Sequence, residues 1–223
     1  MQLIKKFEVL YDRYARDYTI EIEKITKDFQ RIKFKFDTGA SNTTITVNSL
    51  FTNSLVSAKV ILYFKKCRDE KKYLFNDFRS ASGDYMSGVL CSIDNFTFTG
   101  FSPFKFYFYL IFSTAYQKAL LGVDFIECCD FNCKPRENIE IENFHDSMYS
   151  AMFGITAKTH AIDVNDLITM AQDVVLPENF SKFRTKDGYV DLQRFINSID
   201  LNSSQLKCYN DSNSSAKDSF AFI

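Results

Sequence analysis

The chain has 223 residues, enough for one domain with an appendage or two small ones, and enough to bury a sizeable core. Its 27 basic and 28 acidic side chains leave a net charge of −1, without the broad basic field of a dedicated nucleic-acid binder, so no nucleic-acid partner is expected. Strand-favouring Phe and Tyr, 24 and 12 of them, stand beside only 7 Gly and 3 Pro, which argues for a folded, β-rich chain.

Lys5, Lys6, Glu8, Asp12 and Arg13 break up the first residues, so no secretory h-region is expected there. Alternation begins at Tyr18, Ile20 and Ile22, and resumes after Lys27 and Asp28 with Ile32, Phe34 and Phe36 against Lys33 and Lys35. Period two in neighbouring segments predicts a β-hairpin with one buried face. A further strand is expected over 44–47. Residues 49–66 fit a helix face through Leu50, Ser54, Leu55, Ala58, Ile61 and Leu62. A charged, exposed turn is expected at 68–72.

Strands are expected over 73–78 and 89–93, flanking the Gly/Ser-rich stretch 80–88, with β character continuing over 95–99. Residues 104–112 are almost all aromatic or apolar, as in a central strand covered on both faces. The most apolar stretch, 101–116, contains Pro103 and Lys105 and is shorter than the ~20 residues of a spanning helix, so no membrane partner is expected. A last alternation runs over 138–144. Beyond it the spacing turns helical over 163–175 and 188–199, with Asp163 and Asp187 near the helix starts. Residues 202–223 are rich in Ser, Asn and Asp and read as a flexible tail.

The segment that carries chemistry is Phe34 to Ser41, where an apolar strand runs into Asp37, Thr38 and Gly39. Far downstream come Leu120, Leu121 and Gly122, then Val123 and Asp124. Between them lies Ser82, Gly83, Asp84, Tyr85, Met86, Ser87 and Gly88. A carboxylate at the end of a buried strand needs donors, and the turn after it supplies backbone N–H groups; Gly39 allows a close approach there.

In order and spacing, these three segments resemble the aspartic peptidases, and most closely the single-lobed, retropepsin-like branch, over roughly residues 15–145. The resemblance implies a mainly β fold, a retropepsin-like closed β-barrel in residues 1–145. The helical extension 146–201 lies outside the motifs and is expected to be dispensable for the site. The resemblance also implies that Asp37, Thr38 and Gly39 form the catalytic turn. Ala40, Ser41, Ser82, Gly83, Asp84, Tyr85, Met86 and Gly88 would line the substrate, the later ones as a flap. Leu120, Leu121, Gly122 and Asp124 would support the turn from behind, Asp124 in a structural role.

Peptide hydrolysis of this kind needs two carboxylates sharing one proton. No other Asp of this chain is followed by Thr-Gly or Ser-Gly. An aspartic endopeptidase built on it is therefore expected to be a homodimer, each copy contributing Asp37, acting on a peptide or protein. Ala40 withholds a hydroxyl donor that two-lobed relatives often place there, so the pair is expected to work at less acidic pH. Many viral members carry an acid and an arginine where this chain has Ser41 and Val123, and those two form an ion pair; both partners are replaced together. The alternative reading is a non-catalytic module that keeps the fold for dimerisation or peptide binding.

Cys128, Cys129, Cys133 and His145 invite a metal reading, but no second pair of ligands accompanies them. No metal and no cofactor is expected, and His160 has no visible partner. The cysteines at 67, 91, 128, 129, 133 and 208 are expected as free thiols in a cytoplasmic protein.

Overall fold

The computed structural model describes residues 7–21, 32–69, 73–80, 85–98, 102–112 and 119–199. The chain opens with a hairpin, β1 (Phe7–Asp12) and β2 (Asp17–Glu21), followed by β3 (Lys33–Phe36), antiparallel to β2. The expected pairing of the alternating segments is present: Ile20 lies opposite Phe34, both buried, while Lys33 is exposed.

After β4 (Thr44–Thr46) come a short helix α1 (Val47–Leu50) and the longer α2 (Ser54–Asp69). The single helix face expected over 49–66 is corrected. The chain breaks between the two helices, and Asn53 Oδ1 accepts the Leu55 N–H (2.9 Å) at the start of the second. The buried face of α2 is Ser57, Ala58, Val60, Ile61, Phe64 and Cys67, whereas Ser54, Leu55 and Leu62 are only half-buried. Small residues, Ser57 and Ala58, let the helix approach closely and turn that face inward.

The strands β5 (Phe75–Arg79) and β6 (Tyr85–Phe96) form an antiparallel hairpin, and β6 pairs along its other edge with β7 (Phe104–Ile111). Next come β8 (Ala119–Leu121), α3 (Val123–Ile126), β9 (Cys129–Asn132) and β10 (Ile139–Phe144). As expected, β7 is covered on both faces. Phe106 stacks on Phe96 (4.1 Å) and meets Phe34 edge-on (5.9 Å), and Tyr107, on the opposite face, stacks on Phe153 (4.7 Å).

The described strands form one mixed sheet in the order β11-β6-β7-β4-β8-β3-β2-β1-β10-β9, with β5 beside β6. Here β11 is Ile162–Asp163, parallel to β6 at Cys91 and Ser92. The protein is mainly β, but the sheet path is open among the described residues, ending at β9 and β11. The closed barrel expected from the resemblance is not what these strands make.

Three helices follow β10: α4 (Asp146–His160), kinked at Gly154, α5 (Val164–Gln172) and α6 (Leu192–Ser198), with a 3₁₀ turn at Glu178–Phe183 between the last two. Asp163 caps α5 by accepting the Asn165 N–H (2.8 Å). Asp191, not Asp187, caps α6 by accepting the Arg194 N–H (2.9 Å). Residues 185–188 instead make a turn, closed by the Gly188 N–H on the Thr185 carbonyl (3.1 Å), in which Gly188 has φ +83°. Tyr149, Ala157, Ile162, Val164, Leu167, Ala171 and Phe195 belong to the same buried cluster as Phe34, Ile45, Phe106 and Leu121. No helix among the described residues is long and apolar enough to cross a membrane.

Candidate active site

The strand β3 carries Phe34 and Phe36 into the core and is parallel to β8, with Phe36 opposite Leu121. The pairing runs one residue past the strand: the Asp37 N–H donates to the Leu121 carbonyl (3.0 Å). The chain then turns. The Ala40 N–H donates to the Asp37 carbonyl (3.2 Å), and the Gly39 N–H donates to Asp37 Oδ1 (3.0 Å). Asp37 is half-buried, Thr38 is exposed and Ala40 is fully buried. The turn thus supplies the carboxylate with the backbone donor its position requires.

Behind this turn lies the segment that follows β8. A Cβ on Gly122 would sit 2.4 Å from the Asn42 carbonyl carbon and 2.8 Å from the Ala40 oxygen, so the two segments touch backbone to backbone. The Val123 N–H donates to the Ala40 carbonyl (2.8 Å) and the Asp124 N–H to that of Ser41 (3.3 Å). The Asp124 carboxylate accepts the Thr43 N–H (2.9 Å to each oxygen) and the Thr43 hydroxyl (2.7 Å). Thr43 Oγ1 in turn accepts the Gly122 N–H (3.1 Å). The turn 37–43 is therefore fastened to 121–124 along its whole length.

Burial pushes the Asp124 carboxyl above its ordinary 3.8, against the Thr43 and Asn42 hydrogen bonds that favour its charge. Asp124 is thereby committed to Thr43 and stands behind the turn. Leu121 is buried beneath it and Leu120 is half-buried.

The expected flap falls on the hairpin of β5 and β6. Ser82, Gly83 and Asp84 lie outside the described residues. Tyr85 opens β6 opposite Arg79, is 45% exposed, and has the Arg79 guanidinium 5.6 Å from its ring centre. Met86 is half-buried. Gly88 is buried within the strand, where an added Cβ would meet Ile111 Cδ1 at 2.7 Å and the Leu110 oxygen at 3.1 Å. It is a packing glycine rather than a turn glycine. The hairpin is tied to the Asp37 turn through Tyr109, whose ring meets Phe78 (5.1 Å) and whose N–H donates to the Thr43 carbonyl (2.9 Å).

Thr43 and Phe131 are the residues sequence reasoning did not single out. Phe131, on the edge strand β9, is 44% exposed and meets the ring of Phe36 edge-on at 6.0 Å, one residue from Asp37. Neither belongs to a motif, and only the fold brings them to the site.

The cysteine group does not assemble as ligands. Cys128 and Cys129 are buried with their thiols donating to the Asp124 and Phe125 carbonyls, and Cys133 is exposed. His145 Nε2 lies 2.9 Å from Asp130 Oδ2, and that partner holds the Asp130 carboxyl below its usual range. Among the described residues, no three His, Cys, Asp or Glu side chains gather as a metal site.

No protein family matches the chain, and no curated protein matches it. Among solved structures, a retropepsin-like aspartic protease from Rickettsia conorii aligns with 62% of this chain and 99% of its own, at 17% identity and a TM-score of 0.36.

Proposed function

We propose that this chain is an aspartic endopeptidase whose active form is a homodimer, with Asp37 from each copy holding one attacking water. The observation that carries this reading is the Asp37 turn. A half-buried carboxylate is held by the Gly39 N–H at the end of a core strand, on a loop braced from behind by Gly122 and by the Asp124–Thr43 pair. The nearby Asp124 is occupied by Thr43, and in this reading the second carboxylate comes from a second copy.

In such a pair one proton is shared, because like charges this close cannot both ionise. The ionised carboxylate takes a proton from the water as it attacks the scissile carbonyl carbon. The protonated one donates to the carbonyl oxygen, and protons then pass to the leaving amine as the C–N bond breaks. An extended peptide would lie under the β5–β6 hairpin as an added strand, against Tyr85 and Met86 at its described end. The exposed Thr38 is available to the partner's turn, and the apolar surroundings favour apolar residues on either side of the scissile bond.

The test compares wild type with Asp37→Asn on a mixed peptide library read by mass spectrometry, at several protein concentrations. Wild type is expected to cleave, with a rate per chain that falls on dilution below the dimer dissociation constant. Asp37→Asn should lose about 10³-fold or more while keeping its circular dichroism and melting temperature. Equal cleavage by both would move the chemistry to another group. Cleavage by neither would leave a peptide-binding or dimerisation module.

A further inference from the structure

A sulfur and two hydroxyls meet where α2, the lead-in to β5 and α5 come together, away from the Asp37 turn. The Tyr63 hydroxyl of α2 donates to Met170 Sδ on α5 (2.9 Å). The Tyr73 hydroxyl lies 3.2 Å from that of Tyr63 and 3.9 Å from the same sulfur. Met170 is 37% exposed and so lies at the protein surface. One turn earlier on α2, Lys59 Nζ donates to the Gln172 carbonyl at the same end of α5 (3.0 Å).

We propose that Met170 is a modification site: a peroxide oxidises its thioether to the sulfoxide, and the Tyr73 hydroxyl receives the new oxygen. The sulfur lone pair attacks one peroxide oxygen, the S–O bond forms and the O–O bond breaks. The proton on the transferred oxygen passes to the departing hydroxide, which leaves as water; sulfur is oxidised by two electrons and the peroxide is reduced.

The 3.9 Å separation is long for a hydroxyl–sulfur contact. One S–O bond and one hydroxyl hydrogen bond of about 2.7 Å, bent at the oxygen, span that gap. Before oxidation the Tyr73 hydroxyl lies within reach of the Tyr63 oxygen and of the sulfur, and a sulfoxide oxygen is a much stronger acceptor than the thioether it replaces. Burial, with Cys67 and Tyr73 nearby, pushes the Tyr63 hydroxyl well above its ordinary value, so it stays a neutral donor. A sulfoxide in a helix contact ordinarily disrupts packing. Here its oxygen meets a hydroxyl already placed beside the sulfur, and oxidation tightens the tie between α5 and the root of the β5–β6 hairpin.

The experiment uses the full chain with Met148→Leu and Met152→Leu, which removes the other exposed methionines among the described residues. The protein is treated with hydrogen peroxide and then with dithiothreitol to reverse thiol oxidation, and Met170 is checked for one added oxygen by peptide mass spectrometry. Oxidation is expected to leave the melting temperature unchanged or raised in this background. In a Tyr73→Phe version, which keeps the ring and loses only the hydroxyl, it should lower it by about 2–4 °C. A Met170→Leu version should show no peroxide-dependent shift. The proposal is overturned if Met170 takes up no oxygen at doses that oxidise Met148 and Met152 in the parent. It is equally overturned if oxidation shifts the melting temperature alike with and without the Tyr73 hydroxyl, or if the shift persists in Met170→Leu.

Discussion

Gly122 lies so close to the chain it crosses that a methyl group there would meet the backbone of Asn42 at 2.4 and 2.6 Å and that of Ala40 at 2.8 Å. Backbone cannot swing aside as a flexible side chain can, so Gly122→Ala should cost about 3 kcal/mol, near the upper end for overpacking. Urea denaturation measures it, and a loss below about 0.5 kcal/mol, the scale of a surface substitution, would mean the turn and its brace are not in contact. Asp124 gives a pH-dependent signal from the same place. Its native carboxyl is raised above 3.8, chiefly by burial, so between those two values the folded protein holds more protons than the unfolded chain. Stability from this group therefore rises as pH falls through that window. Asp124→Asn, which cannot titrate and offers Thr43 one acceptor fewer, should be less stable by about 1–2 kcal/mol at neutral pH. The gap should widen as the pH is lowered toward about 4; a gap that narrows would contradict the raised value. Asp124 is legible in the sequence as a structural acid because it follows the apolar-apolar-Gly segment. Its partner Thr43 is not, since nothing distinguishes it from the neighbouring Thr44 until the fold brings position 43 against position 124.

Elements with one clean buried face are those the sequence reveals. In β3 and β10 the buried residues alternate, whereas β9 buries Cys129 and leaves the next three residues exposed, so no period-two signal exists to find. In β1 the exposed Leu10 interrupts the alternation around Val9. The helix α4 is hidden for another reason. Its Met148 and Met152 are exposed while Tyr149 is fully buried, so the apolar pattern does not mark the inward face. Tyr149 also does something a pattern cannot show. Because β4 pairs with β7 only at 109–111, Tyr107 lies beyond the end of that neighbour. The Tyr149 hydroxyl takes the missing strand's place, accepting the Tyr107 N–H and donating to the Tyr107 carbonyl, both at 2.9 Å. Tyr149→Phe keeps the ring and strands two buried backbone groups. It should destabilise the protein by about 2–3 kcal/mol, read from urea denaturation. A change under about 0.5 kcal/mol would mean water or a backbone shift replaces the hydroxyl.

At the scale of the whole molecule, the change from period two to period 3.6 near residue 145 marks a change of element type, while the buried cluster runs through it. The segment 146–199 inserts Tyr149 beside β7 and adds β11 to the edge of β6 at Cys91 and Ser92. It also lays α5 and α6 on α2. Val164 and Leu167 are fully buried, and Phe195 is 1% exposed. Such a side chain contributes about 1.5–3 kcal/mol by burial, and removing the segment uncovers the surfaces on α2, β6 and β7 that bury it. Several contributions of this size match the whole stability margin of a domain, about 5–15 kcal/mol. The sequence alone could not reveal this, because none of the three motifs lies beyond residue 124 and helical spacing does not say what a helix packs against. A chain ending at residue 145 should therefore be aggregated or lack a cooperative unfolding transition, although it contains every residue of the Asp37 turn and its brace. Circular dichroism with thermal melting and size-exclusion chromatography decide the matter. A soluble 1–145 chain that melts cooperatively would make the helices an appendage, dispensable for the site; failure to fold would make them a wall of the same core that holds β6 and β7, and through Tyr109 the Asp37 turn, in place.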